Sequence, residues 1–123
     1  MKRFFLVLII LLMASPASAI KTLTLHINDT LPYYAAFIYD SNGAVDLTGS
    51  TVTAYMTNSA GTLIINGSPV IISDPTLGQI QYAWAATDTN TIGAYTIQFK
   101  IVMPSGGWFT VPTGPYAKIL IEQ

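Results

Sequence analysis

The chain has no cysteine, a single histidine and only 9% charged residues. Each shortage closes off a class of chemistry. Without cysteine there is no disulfide, no thiolate metal site, no cysteine nucleophile and no lipoprotein-type acylated cysteine. One histidine cannot build a multi-histidine zinc centre. Beyond residue 20 the cations are Lys21, Lys100 and Lys118, set against Asp29, Asp40, Asp46, Asp74, Asp88 and Glu122, a formal charge of −3. Such a balance forms no basic stripe for a phosphate backbone, so no nucleic-acid partner is expected.

What is present is apolar. Half of the 123 residues are hydrophobic (51%), which excludes a disordered chain and suits one domain. The first stretch differs from the rest. Lys2 and Arg3 precede an unbroken apolar run over residues 4–13, followed by Ser15-Pro16 and the small residues Ala17-Ser18-Ala19. That order matches a secretory signal peptide cleaved between Ala19 and Ile20. As a helix, ten to twelve apolar residues would reach no more than about 18 Å, short of the ~30 Å hydrocarbon core, so no stable membrane span is expected after processing. The domain boundaries read as 1–19, a signal peptide or apolar N-terminal segment, and 20–123, the folded domain.

Residues 20–123 read as strands at short spacing. All 15 threonines lie there, and β-branched and aromatic residues dominate the apolar set. Leu23, Leu25 and Ile27 alternate with Thr22, Thr24 and His26. Val52, Ala54 and Met56 alternate with threonines and Tyr55. Ile80, Tyr82 and Trp84, then Tyr95, Ile97, Phe99 and Ile101, then Ala117, Ile119 and Ile121 repeat the pattern. Asn66-Gly67, between two short apolar runs, predicts a two-residue hairpin turn. Seven or eight strands and no helix imply an all-β, immunoglobulin-like antiparallel β-sandwich. Gly93-Ala94-Tyr95, with Ile97 two residues on, fits a tyrosine corner in which the hydroxyl bonds the backbone. Gly93 and Tyr95 are accordingly expected to be structural.

Residues 40–52, Asp-Ser-Asn-Gly-Ala-Val-Asp-Leu-Thr-Gly-Ser-Thr-Val, carry a further signal. Together with Thr87-Asp88, Gly93, Tyr95, Phe99 and Pro112, they resemble the N-terminal immunoglobulin-like domain of phage baseplate upper proteins. That family shows an Asp-x-x-Gly turn and then Asp-Leu-Thr-Gly-Ala-Thr-Val entering a strand. The resemblance implies a virion structural protein that works by protein–protein interaction, without a cofactor. On physical grounds Asp46 is expected to bond nearby amides, and Gly49 to permit the bend before Thr51. A calcium loop from Asp40, Asn42 and Asp46 lacks the alternating carboxylates and terminal acid that such a loop needs.

Little catalytic chemistry is available. His26 has no recognisable nucleophile motif to serve, and five of the six acids lie in or beside turns, where Asp is favoured for local hydrogen bonds. The expectation is therefore a non-enzyme with no metal and no cofactor. Trp108, Phe109 and Tyr116 do not all fit an inward face and are the candidate partner contacts, with a protein subunit or with a carbohydrate. Two function classes follow. One is a structural module of a phage tail or baseplate, a virion component. The other, favoured by the leader, is an exported surface or periplasmic binding domain. Leu23 to Ile27 and Lys118 to Glu122 are expected to form open, weakly charged sheet edges.

Overall fold

The computed structural model describes residues 8–13, 22–112 and 117–123. Tyr116 lies outside them, as do most of residues 1–19. Period-2 alternation becomes strand over most of its length, stopping one residue short of Ile27 and two short of Trp84, because one face of each strand can then be buried. The strands are β1 (Leu8–Met13), β2 (Thr22–His26), β3 (Tyr34–Asp40), β4 (Gly43–Ala44), β5 (Thr51–Asn58), β6 (Leu63–Pro69), β7 (Ile71–Asp74), β8 (Gln79–Tyr82), β9 (Gly93–Val102), β10 (Trp108–Val111) and β11 (Ala117–Glu122). Single 3-10 turns cover Pro75–Leu77 and Ala86–Thr89. The strand count exceeds seven or eight because β4 and β10 are short pieces and β1 is added.

The strands form two sheets. One runs β1-β3-β8-β7, with β4 paired to β3; the other runs β2-β11-β9-β5-β6, with β10 paired to β9. β9 is the spine of the second sheet, with β5 along one side and β11 then β10 along the other. Its inward residues Tyr95, Ile97, Phe99 and Ile101 meet Tyr34, Ile38, Ile80 and Tyr82 of the facing sheet in one core cluster. Each such aliphatic or aromatic side chain contributes roughly 1.5–3 kcal/mol by leaving water. Tyr34 packs edge-on to Trp84 at 6.4 Å and against Phe99 at 5.3 Å between ring centres.

Two expectations are corrected. Asn66-Gly67 is not a hairpin turn. β6 runs through it, pairing Asn66 with Tyr55 and Ser68 with Ala54, so Gly67 (φ +83°) takes up an irregularity in the ladder. A positive φ serves a bulge as well as a turn. The turn itself follows Asn58, whose side-chain oxygen accepts the Ala60 and Thr62 amides. Nor is residue range 118–122 an edge. β11 is enclosed between β9 and β2, and β2 alone is the edge on that side.

Candidate interaction surface

The five aspartates are occupied by local turns. Asp29 accepts the His26 amide, Asp40 the Asn42 amide, Asp46 the Thr48 amide and Asp88 the Ala85 amide, all at 2.8–3.0 Å. Asp74 accepts the Thr76 hydroxyl at 3.1 Å and caps Leu77. Asp88 also accepts the Tyr82 hydroxyl at 2.7 Å. Burial raises the Tyr82 phenol's pKa well above its ordinary value, with the Asp88 bond adding to it. His26 is exposed, its ring 3.8 Å from Asp29. No group of three or more His, Asp or Glu residues is placed to hold a metal ion among the described residues.

The segment 46–52 is built as a plug and latch. Asp46 accepts both the amide of Thr48 and its hydroxyl, at 3.0 and 2.6 Å. Leu47 is fully buried, and its amide donates to the Pro75 carbonyl. Gly49 (φ +76°) turns the chain into β5 where a Cβ would lie 3.1 Å from the Pro104 ring. Ser50 donates to the Met103 sulfur at 3.4 Å. Ser50, with Gly49 lying close to Pro104, thereby joins this turn to the loop that precedes Trp108.

Trp108 begins β10 opposite Val102, with its side chain 61% exposed. Lys100, one step along the same face, places its ammonium 4.5 Å from the indole centre. The strand register extends that face in two rows, Thr51–Val102–Trp108 and Thr53–Lys100–Thr110. Phe109 points the other way and packs partly buried against the core. Trp108 and Phe109 are therefore neighbours in sequence but lie on opposite faces. At the far end of β9, Tyr95 donates its hydroxyl to the Thr91 carbonyl at 2.6 Å, and the space above Gly93 is closed by the Tyr95 ring at 3.7 Å. At this same end a depression of about 330 Å³ opens on the outer face, lined by Thr57, Thr96, Lys118 and Leu120 among others.

Sequence reasoning missed the exposed apolar side chains of Leu63, Ile64, Ile71 and Leu77. Leu63 and Ile64 belong to the apolar run before Asn66-Gly67. The ladder irregularity between Met56 and Thr57 leaves both outside and Ile65 inside.

The class is an immunoglobulin-like β-sandwich, here with the fold of a phage domain. In particular, the chain is similar to the N-terminal domain of phage TP901-1 ORF48, with a TM-score of 0.71 and 16% identity, covering 97% of this chain and 100% of that one. The resemblance drawn from residues 40–52 thus holds at the level of fold. A second solved structure, CopC from Methylosinus trichosporium OB3b, overlaps at a TM-score of 0.47 with 12% identity, covering 81% of this chain and 84% of that one, and nothing about this chain follows from it. No family model matches the sequence, and no curated protein matches it significantly.

Proposed function

We propose that the chain is a non-enzymatic structural module of a phage-like particle, held to neighbouring protein subunits through its sheet surfaces. The observation that carries this reading is the similarity, over nearly the whole chain, to a domain of a phage protein. Local chemistry agrees. The aspartates serve their own turns, whereas Trp108 stands exposed on a face otherwise made of threonine, valine and a lysine already engaged with the indole. An exposed tryptophan with its cation is an anchor for a protein surface. Phe109 acts by holding β10 on the core, and Tyr116, a candidate contact from the sequence, lies outside the described residues.

Particles purified from the native source by density centrifugation test the idea. The protein should co-sediment with them in fixed stoichiometry, and Trp108→Ser should release it. Its consistent absence from particles would reject the reading. The exposed indole also suits a sugar ring, which keeps an exported carbohydrate-binding domain as the second reading. Saturable binding to a glycan array, lost in Trp108→Ser, would favour that one.

A further inference from the structure

We propose that β1 is a removable cover for the edge of β3, and that cleavage between Ala19 and Ile20 opens this edge to β3 of a second copy of the chain. The inference rests on the reading of the protein as an assembly module and says where one contact forms.

β1 is the partner of β3 on its outer side, in parallel register from Leu8 opposite Tyr34 to Met13 opposite Tyr39. The opposite side of β3 is taken by β8 and β4: the Ile38 amide donates to the Gly78 carbonyl at 2.7 Å, and the Ile38 carbonyl accepts from Val45 at 3.0 Å. Backbone groups alternate along a strand, so Ala35 and Phe37 aim theirs at β1. Removing β1 would leave them facing solvent.

Edge strands that stay single are usually blunted by lysine, proline or an inward charge. This one is not. Residues 34–39 read Tyr-Ala-Ala-Phe-Ile-Tyr, without charge, proline or glycine. The structure also shows what the edge accepts, an extended and wholly apolar hexapeptide, LIILLM. Alongside, Phe37, Tyr39, Ala44 and Leu77 frame an open depression of about 460 Å³. Leu77 there is 51% exposed. The covering strand is itself drawn from the one segment that carries a signal-peptide pattern, so the cover and the cleavable part coincide.

A second β3, antiparallel about a two-fold axis at Phe37, matches this edge. It opposes Ala35 to Tyr39, Ala36 to Ile38 and Phe37 to itself, sets Asp40, the one charge of the strand, across from Tyr34 and not from a like charge, and joins the two first sheets in the order β7-β8-β3-β3-β8-β7. Closed two-fold pairing is also the commonest symmetry of protein oligomers.

The test uses the full chain with a protease recognition sequence inserted between Ala19 and Ile20. The folded protein is cut in solution and its mass followed by light scattering. The mass should rise from that of one full chain to that of two chains of residues 20–123, about 1.7-fold. Phe37→Lys should abolish the dimer by opposing two ammonium groups, and an equimolar mixture of cut Phe37→Lys and cut Phe37→Glu should restore it. Should either variant fail to fold, deuterium exchange of the unsubstituted chain decides: the Ala35 and Phe37 amides should be slow before cutting, slow after cutting at high concentration, and fast after cutting at high dilution.

A product that stays monomeric, whether the cut segment leaves or remains bound, would overturn the proposal. So would unfolding on cutting, or a dimer indifferent to both charges at Phe37. A monomeric cut protein that still co-sediments with particles would sink this contact and leave the structural-module reading standing.

Discussion

The hydroxyl of Tyr95 donates to the carbonyl of Thr91 at 2.6 Å, tying the entry of the central strand β9 to the loop before it. Tyr95 is buried, so Tyr95→Phe strands an acceptor at the cost of a lost bond. The variant should lose about 1–3 kcal/mol of stability, read from the urea midpoint. An unchanged midpoint would show that the bond does not anchor this corner.

Tyr34 should behave in the opposite way. Its ring is fully buried, and its hydroxyl has no hydrogen-bond partner among the described residues. Burial raises the phenol's pKa far above its ordinary value. Tyr34→Phe keeps the packing against Trp84 and Phe99 and removes the stranded oxygen. Stability should hold or rise by about 1 kcal/mol in the same assay. A loss of that size would mean that the hydroxyl is bonded in solution.

Gly78 closes the turn at Pro75–Leu77 in the left-handed conformation, φ +64°. A Cβ there would run into the Ile38 carbonyl and lie 2.8 Å from the Val45 carbonyl oxygen. Gly78→Ala should therefore cost about 3 kcal/mol or more, backbone strain and a clash with rigid neighbours together. Gly43 (φ +109°) has nothing within 4 Å of such a Cβ, and Gly43→Ala should cost about 1 kcal/mol of strain alone. Equal losses at the two sites would remove the clash from the explanation.

Asp46 titrates below the ordinary carboxylate value of 3.8, first because it accepts the Thr48 hydroxyl and second because it accepts the Thr48 amide. A carboxyl depressed in the fold stabilises it above the unfolded value and loses that contribution as the pH falls through the folded one. The window is therefore acidic, from about 3.8 downwards. Thr48→Val should move the Asp46 carboxyl back towards 3.8 in an NMR titration. No movement would show that the hydroxyl bond is not what lowers it.

Trp108 and Phe109 should separate surface from core. Trp108→Ser removes an exposed ring and should shift stability by no more than about 0.5 kcal/mol. Phe109→Ala opens a gap beside the core and should cost about 2–4 kcal/mol, towards the lower end because the ring is only partly buried. Comparable losses at both positions would place Trp108 in the packing and not on a contact surface.

Residue alternation was enough to identify most of the strands and the two-layer sandwich, because a period of two has one packing solution in a chain of this length: inward stripes stacked against each other. The Asp-Leu-Thr-Gly run was legible for the same local reason. Asp46 bonds two residues ahead, Leu47 is the apolar plug and Gly49 takes the positive φ, all within one turn. The tertiary structure decided what depends on partners distant in sequence. Whether Gly67 turns the chain or bulges it was set by its register against Tyr55, and whether β11 is an edge was set by β2 arriving beside it. The outward aim of Trp108 and inward aim of Phe109 follow from their pairing with Val102 and Ile101. Which strand stands beside β3 has no sequence signature at all, since an edge is defined by its neighbour and not by the residues it contains.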